Sequence, residues 1–147
     1  MTEQEERDDA AQALATEIRR IGGRLKRRLR EISGVGDMPG SQIAVLLHLE
    51  SEGQATISDL ARAEGMRPQS MGAIIAALEA AGHVQGRPDP ADGRRTLLSL
   101  TERCAAWMQA GRIARQDMLA GAIAARLSPE EQTQLGAALP LLARLVE

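Results

Sequence analysis

The sequence predicts a mainly α-helical fold with one small two-stranded β hairpin, and three observations carry that reading. Apolar residues recur at helical spacing over long stretches at both ends of the chain. In the middle, two short helical stretches are separated by a tight, glycine-containing turn. Two brief strand-like runs follow, joined by a segment rich in Pro, Asp and Gly.

Composition agrees with this. Apolar residues make up 44% of the chain and charged residues 26%, the balance of an ordinary soluble domain. With one Trp, no Phe and no Tyr, packing falls to Leu, Ile, Val, Met and Ala, an aliphatic set that suits helices. A chain of 147 residues is expected to form a single domain whose core needs neither disulfide nor metal.

Over residues 12–32 the apolar positions are Leu14, Ile18, Ile21, Leu25, Leu29 and Ile32, spaced by four, three, four, four and three. That spacing marks one stripe of a long amphipathic helix. Its other faces carry Arg19, Arg20, Arg24, Lys26, Arg27, Arg28 and Arg30. The basic run reads as a solvated face with some salt bridges to the acidic N-terminal segment MTEQEERDDA. Ser33-Gly34-Val35-Gly36-Asp37 ends the helix. A second apolar run, residues 43–49, stands behind Pro39 and Ser41 and stops at Ser51-Glu52-Gly53. These flanking signals favour a buried helix over a buried strand.

Thr56 and Asp59 form a T-x-x-D capping box, so a helix of about two turns begins there and stops at Gly65. Arg67-Pro68 restarts the helix, with Pro at its favoured first position. Met71, Ile74, Ile75 and Leu78 form the inward stripe, and Gly82 closes it. Residues 84–88 and 96–100 read as paired strands about a turn over residues 89–93. From Thr101 the helical period returns through Ala105, Met108, Ile113, Met118, Ile123 and Leu127. Ser128-Pro129-Glu130-Glu131 starts a last helix, whose stripe is Leu135, Leu139, Leu142 and Leu145.

The order of elements is that of a winged helix-turn-helix. The expected organisation is a winged lobe over about residues 38–100, flanked by end helices over about 10–35 and 101–147. Those end helices carry more apolar surface than one small domain covers. They are therefore expected to be N- and C-terminal dimerisation helices, packed against a second copy of the chain.

A helix-turn-helix lays its second helix in the major groove of double-stranded DNA, with base contacts from the exposed face near its start. Here that face presents Arg67, Gln69, Ser70, Gly72, Ala73 and Ala76. Gln69 suits adenine, and an alanine suits a thymine methyl. No Arg, Lys or Asn lies between Gln69 and Glu79, so direct readout is sparse and affinity must come from elsewhere. The stretch RPDPADGRRTLLSLT, residues 87–101, can supply it. Arg94 is expected in the neighbouring minor groove, Arg95 and Arg87 on phosphates, and Asp92 as the acid that holds an arginine in position. A net charge of -2 does not oppose this, since only the docking face needs to be positive.

The spacing Asp92-x-Arg94-x5-Leu100-Thr101 resembles the wing signature of the MarR (multiple-antibiotic-resistance regulator) family. Ser41-Gln42, Asp59-Leu60-Ala61 and Leu78-Glu79-x-x-Gly82 also fall where such regulators carry them, and the resemblance runs over roughly residues 10–147. It implies a homodimeric winged-helix transcription regulator, usually a repressor, on a pseudo-palindromic operator. It further implies release of DNA by a small-molecule effector bound between the dimerisation helices and the DNA-binding lobe. Ala73 stands where relatives often carry an arginine, and Cys104 where they carry a glycine.

Two alternatives have a basis in the residues. One is a winged helix used as a protein-interaction module with no DNA target. The other is a redox-responsive regulator using Cys104, although a lone cysteine at the start of an amphipathic helix reads first as a small buried residue. His48, His83 and Cys104 are too few and too scattered for a metal site. Both histidines read as core or interface residues and Trp107 as packing, with pocket lining the alternative for His48 and for Trp107. There is no Gly-rich phosphate loop, no nucleophile beside a base and no carboxylate pair in an apolar setting, so neither enzyme activity nor a cofactor is expected. One cysteine, an acidic polar start and no apolar run of the ~20 residues a bilayer needs point to the cytoplasm, without membrane partners.

Overall fold

The structure, a computed structural model, describes all residues 1–147. Six helices and one hairpin follow in order: α1 Glu3–Ile32, α2 Gly40–Glu52, α3 Ile57–Ala63, α4 Pro68–Ala80, β1 Val84–Pro88, β2 Thr96–Leu100, α5 Glu102–Arg126 and α6 Pro129–Ala143.

α1 begins nine residues earlier than its apolar stripe suggests, at Glu3 rather than at position 12. Thr2 and Glu5 form a complete capping box, and Glu3, Glu5 and Glu6 sit in the first turn, where carboxylates complement the helix dipole. The expected salt bridges between the basic run and the acidic N-terminus are not formed. Both segments lie on one continuous helix, so their charges are separated along its axis. Arg20 pairs instead with Glu17 at 2.8 Å and Arg28 with Glu31 at 3.6 Å. Arg30 is not part of a free face either: its guanidinium donates to the carbonyls of Gly36 and Met38, tying the end of α1 to the following loop.

The core lies wholly within the lobe built from α2 to the start of α5. Val45, Leu46 and Leu49 of α2, Leu60 and Ala61 of α3, and Met71, Ile75 and Leu78 of α4 pack with Val84, Leu98 and Cys104. Ile74 of the predicted α4 stripe is only partly buried. In α3 the Thr56–Asp59 capping box is complete. Gly65 then takes φ +63°, a left-handed conformation that glycine adopts without strain. That turn lets α4 restart at Pro68.

β1 and β2 pair antiparallel, with Val84 opposite Leu100 and Pro88 opposite Thr96. Ala55 adds a bridge on the other side of β2, exchanging main-chain hydrogen bonds of 3.0 and 2.8 Å with Leu98. The hairpin is thereby fastened to the residue just before the α3 cap.

α5 follows the predicted stripe at Met108, Met118, Ile123 and Leu127 and departs from it at two positions. Ala105 and Ile113 face outward, and the inward positions are Cys104, Trp107, Met108, Gly111, Met118 and Ile123. Gly111 explains part of the change: a Cβ there would stand 3.3 Å from the Ser33 carbonyl at the end of α1, so the two helices approach through it. α1 and α6 contain no buried residue. Leu14, Ile21, Leu139 and Leu145 are each more than half exposed in the single chain, which leaves the apolar stripes of both end helices uncovered. No helix is long and apolar enough to cross a membrane.

Candidate nucleic-acid interface

The start of α4 is a helix entry without side-chain capping. Arg67 occupies the N-cap in extended conformation, Pro68 follows at the first position, and the first turn holds no acid. Arg67, Gln69, Ser70 and Ala73 are all exposed, while Gly72 is half-buried. An anionic ligand approaching this face therefore meets one cation, free main-chain N–H groups and small polar or apolar side chains, with no carboxylate before Glu79.

The far end of α4 is held by α5. Gly82, at φ +78°, turns the chain out of the helix. Its carbonyl accepts from the Thr101 hydroxyl at 2.7 Å, and the same hydroxyl caps α5 by accepting from the Cys104 amide at 3.1 Å. Arg103 donates to the Ala81 carbonyl at 3.0 Å. The recognition-type helix and the long helix α5 thus share one junction.

At the hairpin tip the three arginines are placed differently. Arg94 is 91% exposed, and its Nε and main-chain amide both donate to Asp92 Oδ1 at 3.2 Å. Arg95 reaches back to the start of α3, with its guanidinium 3.5 Å from Thr56 Oγ1. Arg87, on β1, donates to Gln54 Oε1 at 2.9 Å. Gln54 went unnoticed in the sequence. It lies thirty-three positions from Arg87, in a loop with no pattern to single it out.

Asp59 sits beside Thr56 and within the field of Arg95. Hydrogen bonds from the Thr56 main chain and side chain hold its carboxyl below the ordinary value, and the charges of Arg62 and Arg95 act in the same direction against burial. The capping box therefore remains ionised at the root of the wing.

A small cleft lies on the other side of the lobe, lined by Val35, Met38, Ile43, Leu46, Trp107 and Met108, with Ser33, Arg112 and Arg115 as its polar members. It is bounded by the end of α1, α2 and α5. Trp107 stacks on His83, with ring centroids 5.2 Å apart and planes at 26°. His83 Nδ1 is buried without a hydrogen-bond partner. His48 lines no part of this cleft. Cys104 is 1% exposed, and burial pushes its thiol up, reinforced by Glu50 and opposed by Arg103. A redox switch needs an accessible thiolate, so the geometry of Cys104 speaks against the redox alternative.

Two helices in helix-turn-helix order, followed by a hairpin with an exposed arginine at its tip, define a winged helix-turn-helix protein. Residues 36–95 match the model of the MarR family. An uncharacterized HTH-type transcriptional regulator of Mycobacterium bovis is 37% identical over 139 residues, covering 95% of this chain and 96% of that protein. A Mycobacterium leprae relative of the same description is 37% identical over 111 residues, covering 76% of this chain and 78% of its own. The chain belongs to the MarR family of transcription regulators. Among solved structures, a transcriptional regulator of Pseudomonas aeruginosa superposes with a TM-score of 0.78 at 32% identity, covering 92% of this chain and 96% of the other. A mutant of Staphylococcus aureus MepR bound to an oligodeoxyribonucleotide shares the fold, with a TM-score of 0.73 at 20% identity over 91% and 98% of the two chains.

Proposed function

We propose that this chain is a homodimeric, sequence-specific regulator that binds a pseudo-palindromic double-stranded DNA operator, represses its target and is released by a small molecule. The observation that carries the reading is Arg94: an almost fully exposed arginine, steadied by its own Asp92, at the tip of a hairpin fastened beside a helix-turn-helix. Arg94 enters the minor groove, where narrow A·T tracts attract arginine. Arg95 and Arg87 meet phosphates. Arg67, Gln69, Ser70 and Ala73 face the major groove and supply modest base readout.

The uncovered apolar stripes of α1 and α6 support the homodimer, because apolar patches of that extent mark interaction surfaces. The apolar cleft beside Trp107 is the effector site of this reading. Its helix α5 also holds the end of α4 through Thr101, so an occupant that prefers one setting of α5 changes the presentation of α4.

Footprinting on a bound duplex tests the proposal. Two protected half-sites about one helical turn, or 10 base pairs, apart are expected, and Arg94→Ala should shift the protection to roughly 5- to 150-fold higher protein concentration. Protection of a single half-site, or none, counts against it.

A further inference from the structure

Residues 54–56, between α2 and α3, lie as a third rung beside the hairpin. Ala55 is the middle of the rung: it exchanges main-chain hydrogen bonds with Leu98 and is buried with it in the core. Side chains alternate across extended chain, so Gln54 and Thr56 fall on the opposite face. The hairpin register brings both wing-root arginines to that face, since Arg87 stands opposite Leu97 and Arg95 lies two residues before Leu97. There Arg87 donates to Gln54 Oε1 at 2.9 Å, and the Arg95 guanidinium lies 3.5 Å from Thr56 Oγ1.

The two acceptors differ in their other duties. Thr56 Oγ1 also caps α3, accepting from the Asp59 amide at 3.2 Å. Gln54 is exposed and lies outside every helix, so nothing in the core or the caps requires a glutamine there. A guanidinium can only donate, and an amide oxygen accepts from it without adding charge. A carboxylate in the same place would hold Arg87 as firmly and cancel the charge that a phosphate needs.

We infer that Gln54 is a positioning residue for DNA binding: it fixes the Arg87 guanidinium at the edge of the wing and leaves it cationic. The inference rests on the reading of Arg87 as a phosphate contact. Arginine has a long side chain whose ordering opposes association, and Gln54 orders it before DNA arrives.

Substitutions that separate orientation from charge test this in the full chain. The probe is a labelled mixed-sequence duplex, because phosphate contacts do not depend on sequence. Gln54→Ala should weaken binding about 3- to 10-fold and leave the salt slope unchanged, since the cation remains. Gln54→Glu should lower the salt slope by about one, as Arg87→Ala does. In the Arg87→Ala background, Gln54→Ala should have no further effect. Melting midpoints should match the parent throughout, because the pair is exposed.

Gln54→Ala that binds as tightly as the parent, while Arg87→Ala binds more weakly, would overturn the inference and keep the phosphate reading. An equal loss with and without Arg87 would make Gln54 a DNA contact in its own right and overturn it too. Arg87→Ala with parental affinity and slope would remove the phosphate reading and this inference with it.

Discussion

Asp92 and Arg94 are joined through a single oxygen: Asp92 Oδ1 accepts both the main-chain amide and the Nε of Arg94, each at 3.2 Å. An exposed pair of this kind adds little to stability. Its consequence is orientation. The acid restrains the arginine on one edge and leaves the rest of the guanidinium in solvent, lowering the ordering cost of inserting it into a groove.

Replacing Arg94 with Ala should lower DNA affinity by about 1–3 kcal/mol, roughly 5- to 150-fold, and leave the thermal midpoint unchanged. Asp92→Asn should cost less, since it weakens the restraint and keeps the cation. Titration of a labelled duplex beside a melting curve checks both. A lowered midpoint for Arg94→Ala would mean that the residue supports the fold.

Arg87 and Arg95 are tethered to Gln54 and Thr56 rather than free, which suits phosphate contacts of fixed geometry. With six or more phosphates neutralised, affinity should fall ~10³-fold or more between 50 and 200 mM salt. Alanine at either arginine should reduce the salt slope by about one without changing sequence preference. A flat salt response would contradict the electrostatic part of the reading.

Much of this was legible in the sequence, for physical reasons. Capping boxes, Pro at helix starts and Gly at helix ends are local signals, and they located α3, α4 and the hairpin correctly. The α1 start was missed because polar and charged residues carry no stripe; only Thr2 and Glu5 could have announced it. The inward side of α5 was read only in part, because Gly111, which lets α1 approach, has no side chain to enter an apolar count. Contacts such as Gln54 to Arg87 or Trp107 to His83 depend on tertiary placement, and periodicity is silent about them.

The Asp59 carboxyl is held below its ordinary value of 3.8 in the folded chain. With the folded value below the unfolded one, its stabilising contribution is present above about pH 4 and is lost as pH falls through the folded value. Asp59→Asn should cost about 0.3–1 kcal/mol at neutral pH and flatten the acid limb. Urea unfolding between pH 3 and 7 measures both. An acid limb identical to that of the parent would contradict the assignment.

Cys104 is held above its ordinary value of 9.0 by burial. Its protonated form is therefore favoured by folding, and the associated stability is full below pH 9 and declines as pH rises beyond it. The native thiol should resist alkylation, and peroxide should leave DNA affinity unchanged. Rapid labelling of the folded chain, or release of DNA by peroxide, would restore the redox alternative.

Trp107 is the only Trp in a chain without Tyr, so it reports on the cleft without interference. A ligand in the cleft should change its emission and weaken DNA binding. By linkage, DNA should weaken ligand binding by the same factor. A ligand that weakens DNA binding while leaving the Trp107 emission unchanged would place its site elsewhere.

The most direct measurement is selection from a random-sequence duplex pool with the parent and Arg94→Ala, each at two salt concentrations. The account predicts enrichment of an inverted repeat by the parent, stronger at low salt, which the variant fails to select. A folded dimer that enriches nothing even at low salt would contradict it and leave the winged helix as a protein-interaction module.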